Sequence, residues 1–191
     1  MRPIATTRSA AGMPTGLLAV WWVVISEIVI FGGLLASYIM HRLAHDSFAV
    51  QAANTNTWIG AFNTFVLLTS SLTAVLAHQA AEKGDGRKAA NFLMYTVGGA
   101  LTFTCVKAFE WNMEISHGFT ITSNTFWSFY YTAAGLHALH VIAGAIIMVI
   151  VANSARKNQE LHRVELIGIY WHFVDIVWIV IFTVIYLIPV G

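Results

Sequence analysis

Residues 125–152 read TFWSFYYTAAGLHALHVIAGAIIMVIVA, a run of 28 residues that contains no aspartate, glutamate, lysine or arginine. A helix needs about 20 mainly apolar residues to cross the hydrocarbon core of a bilayer. The run is long enough to do so with some tilt. It therefore predicts a transmembrane helix.

Four further stretches have the same apolar character and a similar length; they are residues 17–40, 57–79, 91–113 and 164–188. Of the 191 residues, 58% are hydrophobic and 10% are charged. An average soluble domain has roughly 25% charged residues. This composition excludes a soluble globular domain and a disordered chain. The sequence predicts an all-α fold, in which five transmembrane helices form one domain over residues 17–191, after a tail at residues 1–16.

Basic residues are distributed unequally between the two sides that five spans would define. The tail and the loops at 80–90 and 153–163 carry eight of them, whereas the loops on the other side carry only Arg42. By the positive-inside rule, the N-terminus is predicted to be cytoplasmic and the C-terminus outside. The net charge of +1 gives no reason to expect nucleic acid as a partner. Candidates for contacts with lipid headgroups on the cytoplasmic side are Arg87, Lys88, Arg156, Lys157 and Arg163.

Several titratable side chains lie inside the predicted spans, where each costs free energy and needs a reason. At about 1.5 Å per residue, Glu27, His140, His172 and Asp175 are expected in one layer near the midplane, with His137 one turn away from His140. Two interpretations are open. These groups form a metal, haem or proton site, or they make hydrogen bonds between helices that fix the helix register. The crowding of bulky residues around the histidines favours the second.

Three other features of the spans lead to predictions: a Lys–Glu pair, two pairs of small residues and the single cysteine. Lys107 and Glu110, three residues apart and nearer the outer face, are expected to pair on one helix face. The pairs of small residues Gly32 with Ala36 and Ala134 with Ala138 predict close helix packing within the bundle. Cys105 is expected to be a buried, inert thiol, because reactive cysteines need an accessible, electropositive site.

Four motifs, in the same order along the chain, resemble subunit III of the haem–copper respiratory oxidases. The most specific is YWHFVDIVW at 170–178, which is similar to the family signature YWHFVDVVW. The others are SEIVIFGG at 26–33, KAFEW at 107–111 and GLHALHVIAG at 135–144. In the first of these three, Glu27 corresponds to the family's intramembrane carboxylate. The resemblance covers about residues 15–190, and five helices match the short bacterial form rather than the seven-helix form.

The resemblance implies a non-catalytic subunit of a proton-pumping terminal oxidase in a bacterial cytoplasmic membrane. Its partner, subunit I, holds haem and copper and reduces oxygen to water, while this chain has no catalytic residue, haem or metal of its own. It is expected to stabilise subunit I, to bind phospholipid and to support proton uptake. Two alternatives remain open. One is a membrane cytochrome that binds haem through His137 or His140 together with His172, and the other is a similar accessory subunit of a nitric-oxide reductase.

Overall fold

The structure is a computed structural model, and it describes residues 14–45 and 47–187. Within these residues the regular elements are all helical. They are α1 (Thr15–Ala44), α2 (Ser47–Ala52), α3 (Thr57–Glu82), α4 (Gly86–Ser116), α5 (Thr125–Ala155) and α6 (His162–Phe182), which continues as a π-helical segment, Thr183–Leu187. Five of the helices are long and apolar enough to cross a membrane. The predicted all-α architecture with five spans is confirmed.

Each long helix extends beyond its predicted apolar stretch at one or both ends, and side-chain caps mark the start of three of them. Asp85 caps α4 by accepting the backbone N–H of Lys88 at 3.0 Å, and the helix therefore begins at Gly86, five residues before the predicted start at 91. Asn56 and Asn124 cap α3 and α5 in the same way. Such side chains satisfy N–H groups that have no partner within the helix.

The helices alternate in direction, so that the bundle has two ends. We call the end with the loops at 83–85 and 156–161 the basic end, and the end with α2 and the loop at 117–124 the distal end. The two loops of the basic end are joined, since the N–H of Gly86 donates to Asn158 Oδ1 at 2.9 Å. Arg2 and Arg8, which contributed to the predicted orientation, lie outside the described residues.

Helix α2, within the predicted loop at 41–56, was not foreseen from the sequence. Its Phe48 side chain is buried, with its ring 5.7 Å from that of Tyr38 and 6.0 Å from that of Phe126. Arg42, near the end of α1, donates to the carbonyl of Val184 in the π-helical segment at 2.8 Å. These contacts connect α1 to α5 and α6 at the distal end.

Helices α3, α4, α5 and α6 form the packed centre, and α1 lies at its edge. The predicted role of the Gly32–Ala36 pair is wrong, because both residues are exposed and none of the described neighbouring residues lies within 4 Å of a Cβ built on Gly32. Ala134 and Ala138, by contrast, are buried in the centre. A pair of small residues predicts that another helix can approach this face closely, but it does not identify that helix.

The burial expected for Cys105 is also wrong, because this thiol is exposed on the outside of the bundle. Phe103, Lys107 and Glu110 define the inward face of α4. Cys105 is two residues after Phe103, and a step of two residues turns a side chain by about 200° around a helix of 3.6 residues per turn. It therefore points away from the neighbouring helices.

Close contact between α3 and α4 depends on Gly99. A Cβ at this position would lie 2.6 Å from Ser70 Cβ, which is too close for two carbon atoms. The Ser70 hydroxyl in turn accepts the indole N–H of Trp171 from α6 at 3.1 Å. Gly99 on α4 thus permits a close contact with Ser70 on α3, to which Trp171 on α6 is also hydrogen-bonded.

We expect Gly99→Ala to lower the free energy of unfolding by about 1–3 kcal/mol, because overpacking displaces Ser70. Gly98→Ala is the matched control, since its Cβ would have no neighbour within 4 Å among the residues that the structure describes. The control is expected to be neutral or stabilising by up to about 1 kcal/mol, because alanine favours helix more than glycine does. Thermal unfolding in detergent, followed by circular dichroism, compares the two. Equal transition temperatures for both variants would contradict the assignment.

Candidate functional site

The largest group of buried polar side chains lies toward the distal end, between α4, α5 and the π-helical segment. Lys107 is 1% exposed and Glu110 is fully buried, and both belong to the inward face of α4. A second carboxyl on α4 and two tyrosine hydroxyls complete the group. We call it the Lys107 cluster; its members are Lys107, Glu110, Glu114, Tyr130 and Tyr186.

Hydrogen bonds connect every member of the Lys107 cluster. The ammonium of Lys107 donates to Glu110 Oε2 at 2.9 Å and to the hydroxyl of Tyr130 at 3.0 Å, and it also donates to Tyr186. The Tyr186 hydroxyl lies 2.8 Å from Glu110 Oε1. The Tyr130 hydroxyl lies 3.0 Å from both Glu110 Oε1 and Glu114 Oε1, and it donates to one of them at a time. A buried charge is tolerated when it is paired and hydrogen-bonded in this way.

Aromatic rings surround the Lys107 ammonium on its remaining sides. Its Nζ atom lies 4.7 Å from the centroid of the Tyr130 ring, 5.1 Å from that of Tyr186 and 5.3 Å from that of Trp178. These distances are within the range of cation–π attraction. The sequence indicated the Lys107–Glu110 pair but not the tyrosines, which come from other helices. Glu114 could have been found from its spacing, since it is one turn beyond Glu110 on the same face.

A second polar contact joins α1 to α5. Glu27 Oε2 lies 3.1 Å from His140 Nε2, and the two side chains are 13% and 20% exposed. His140 Nδ1 lies 2.8 Å from the carbonyl of Leu136, which can only accept, so Nδ1 carries a proton. Glu27 Oε2 accepts no hydrogen bond of normal geometry from the described residues, so the two groups meet at ion-pair distance without one. Glu27 and His140 therefore form a close polar pair between α1 and α5.

This pair lies at one end of a groove between α1, α5 and α6, which we call the α1/α5/α6 groove. Its volume is about 690 Å³. Its walls are mainly apolar and include Ala143, Ile147 and Leu166, and Arg163 lies at its basic end. Arg163 also forms an ion pair with Glu160 at 2.9 Å. The groove thus combines a long apolar surface with a cationic side chain at one end.

His137 lies in the centre of the bundle and not in this groove. It is fully buried, with its ring centroid 5.4 Å from that of Phe103 and 5.2 Å from that of Trp178. Rings at these distances pack directly against one another. They leave no space beside the imidazole for a macrocycle.

His172 and Asp175 lie in the seam between α3 and α6. His172 Nδ1 is 2.6 Å from the hydroxyl of Ser71. Asp175 is 4% exposed, and neither of its carboxyl oxygens has a hydrogen-bond partner of normal geometry among the described residues. Ser71 is its neighbouring hydroxyl. The four residues expected in one layer, together with His137, therefore occupy three separate places in the bundle, and among them Glu27 and His140 are in direct contact.

The described residues do not fit a haem or metal centre. Within 14–45 and 47–187, no three histidine, cysteine, aspartate or glutamate side chains come close enough to hold a metal ion. His137, His140 and His172 each contact different helices, so no two of them face each other across a space for haem. The packing thus gives no support to the interpretation as a haem-binding cytochrome.

The basic residues suggested for lipid headgroups lie where the sequence places them, at the basic end. Arg87, Lys88, Arg156 and Lys157 are exposed, and Arg163 is half-buried at the groove. Exposed side chains of this kind are free to meet anionic groups at a membrane surface.

We expect Lys107→Met to lower the free energy of unfolding by about 3–5 kcal/mol, because it leaves the Glu110 carboxylate buried without its cation. Adding Glu110→Gln is expected to recover more than half of this loss, since both charges are then gone. Lys157→Met, at an exposed position, is the matched control and should stay within about 0.5 kcal/mol of the parent. Thermal unfolding of the parent, the two single variants Lys107→Met and Glu110→Gln, the double variant and the control measures these differences. A double variant as unstable as the sum of the singles would refute the pairing.

The chain matches the family model for cytochrome c oxidase subunit III over residues 5–190. It is 36% identical over 168 residues to the probable cytochrome c oxidase subunit 3 of Mycobacterium bovis, covering 85% of this chain and 83% of the relative. It is 30% identical over 169 residues to cytochrome c oxidase subunit 3 of Thermostichus vulcanus, covering 86% of this chain and 83% of the relative.

A longer relative in Aeropyrum pernix is named haem–copper oxidase subunit I+III. It is 29% identical over 185 residues, which cover 89% of this chain and 22% of that protein. The resemblance seen in the four motifs is confirmed by a family match over almost the entire chain, and five helices are suited to crossing a membrane. This multi-pass membrane protein belongs to the cytochrome c oxidase subunit III family.

Proposed function

We propose that the chain is the non-catalytic third subunit of a proton-pumping haem–copper oxidase, bound to a catalytic subunit I that reduces oxygen to water. The observation that carries this proposal is the family match over residues 5–190. The relative named subunit I+III supports the partnership, because its name assigns both subunits to one chain. Haem and copper belong to the partner subunits, and this chain has none.

The polar groups in the spans fit a supporting role. In the Lys107 cluster, hydrogen bonds join side chains of different elements, and in the Glu27–His140 pair two side chains meet at 3.1 Å across two helices. They hold α4 to α5 and to the π-helical segment, and α1 to α5. A firmly held bundle can in turn stabilise the subunit against which it packs. No specific observation favours the membrane cytochrome or the nitric-oxide reductase accessory subunit.

The proposed location is a bacterial cytoplasmic membrane, with the basic end in the cytoplasm and the C-terminus outside. The positive-inside rule supports this orientation, since Lys83, Arg87, Lys88, Arg156 and Lys157 all belong to the basic end. Protons for oxygen reduction and pumping come from that side. We therefore include in the proposed function that the basic end of this chain supports proton uptake by the oxidase.

The α1/α5/α6 groove is the proposed binding place for a phospholipid. An acyl chain fits its apolar walls, which expose Val23, Ile147 and Ile150. An anionic headgroup would then meet Arg163, as expected from its place at the basic end. A basic residue near a membrane surface contributes about 1 kcal/mol to the binding of anionic lipid.

The proposed partnership predicts what a tagged form of this chain brings with it. In mild detergent it should co-purify with a larger haem-bearing membrane subunit, with haem absorbance proportional to that subunit. When this chain is separated from the complex, it should carry neither haem nor copper in stoichiometric amount. Absorbance spectra and metal analysis of both fractions check this, and a separated chain that retains one haem would contradict the proposal.

The proposed lipid site predicts a loss of bound phospholipid when the groove is filled. Ala143→Trp should reduce the phospholipid that co-purifies with the complex by about one molecule, while Ile146→Trp, at an exposed position outside the groove, should not. Arg163→Gln should weaken the preference for anionic over zwitterionic lipid about five-fold, the equivalent of about 1 kcal/mol. Lipid extraction followed by mass spectrometry measures both effects. Equal lipid content in the two tryptophan variants would refute the site.

A further inference from the structure

The Lys107 cluster contains two buried carboxyl groups and a single ammonium. Glu110 is fully buried and Glu114 is 5% exposed. The Lys107 ammonium pairs with Glu110 at 2.9 Å, and no cationic side chain of the described residues forms an ion pair with Glu114. Two ionised carboxylates would therefore leave one negative charge without a counter-charge inside the bundle, and such a charge is costly.

The hydrogen bonds of the cluster also need a proton that the ammonium and the two tyrosines do not supply. The ammonium uses its three protons on Glu110, Tyr130 and Tyr186. The single Tyr186 proton serves the shortest contact of that hydroxyl with an acceptor, 2.8 Å to Glu110 Oε1. Tyr130 then has one proton for two carboxyl oxygens, Glu110 Oε1 and Glu114 Oε1, which both lie at 3.0 Å. One of these two contacts lacks a proton.

A carboxylic acid at Glu114 would supply the missing proton. It would donate from Oε1 to the Tyr130 hydroxyl, whose own proton would then go to Glu110 Oε1. Both 3.0 Å contacts would have one proton each, and the Tyr130 oxygen would use its two lone pairs to accept from Glu114 and Lys107. Tyr131, the next hydroxyl along α5, is no alternative source, because it donates to the carbonyl of Phe119 at 2.7 Å.

The two carboxyl groups differ in how well their surroundings stabilise the ionised form. Glu110 accepts from the Lys107 ammonium at Oε2 and from the Tyr186 hydroxyl at Oε1. Glu114 Oε1 contacts only Tyr130 among the described residues, and its Oε2 atom is buried without a hydrogen-bond partner there. Because hydrogen bonds and a nearby cation favour an ionised carboxylate, the charge belongs on Glu110 and the proton on Glu114.

We propose that the Lys107 cluster is a proton-binding site, in which Glu114 holds one proton and donates it in a hydrogen bond to Tyr130. The bound proton takes the place of a second cation, so that two carboxyl groups on one face of α4 share a single ammonium. Glu114 is two residues before the end of α4 at Ser116, so the site belongs to the distal end, opposite the basic end. The proposal does not depend on the proposed oxidase function, because every member of the cluster belongs to this chain.

Infrared spectroscopy of the purified protein tests for the proton directly, because a carboxylic acid has a C=O stretching band that a carboxylate lacks. Labelling glutamate with ¹³C moves the bands of glutamic acids away from those of lipid esters. One such band is expected in the parent and is expected to be missing from Glu114→Gln. It should remain in Glu160→Gln, the control, whose parent side chain is ionised in a pair with Arg163. A spectrum of Glu114→Gln with no band lost would overturn the proposal, and so would a band lost from Glu110→Gln alone.

Unfolding temperatures give a second, independent test. Glu114→Gln exchanges one neutral hydrogen-bond donor for another, so its unfolding temperature is expected to stay within about 3 °C of the parent. Glu110→Gln should lower it clearly more, because the buried ammonium loses its carboxylate. Added to Lys107→Met, Glu114→Gln should recover much less of the loss than Glu110→Gln does. A change outside that range for Glu114→Gln in either direction, or equal recovery by the two glutamine variants, would show a charged Glu114 and overturn the proposal.

Discussion

The ion pair between the Lys107 ammonium and the Glu110 carboxylate is the contact on which the centre of this bundle depends. Both groups are almost completely buried in a chain whose solvent is lipid, so neither charge can be satisfied from outside. The pair is tolerated because Tyr130 and Tyr186 supply further hydrogen bonds from α5 and the π-helical segment. Three separate elements are thereby held in one arrangement, since moving any of them would leave a buried charge incomplete.

The same constraint explains how the other polar groups are distributed. Glu27 Oε2 lies 3.1 Å from His140 Nε2 across α1 and α5, and the Trp171 indole donates to Ser70 across α6 and α3. In lipid, where apolar faces gain little by meeting each other, such hydrogen bonds and close packing provide much of the specificity of helix association. The polar side chains of the spans are thus accounted for mainly by contacts between helices, and the groove that remains open has apolar walls.

The sequence predicted the spans well and their contacts only in part. Hydropathy identified five helices because each must present about 20 apolar residues to the membrane, but it could not show that Asp85 starts α4 earlier. The Lys107–Glu110 pair followed from helix spacing, whereas Tyr186 is 76 residues from Glu110 and only folding brings them together. The small residues at Gly32 and Ala36 suggested packing inside the bundle, yet spacing does not tell an inward face from an outward one.

The role proposed for this subunit is to support catalysis that takes place in another chain. The decisive measurement is oxygen consumption, recorded over many turnovers by the complex with and without this subunit. We expect a similar initial rate in both, followed by a much earlier loss of activity when the subunit is absent. A complex that lacks the subunit, retains its haems and shows no oxygen reduction from the first turnover would contradict it.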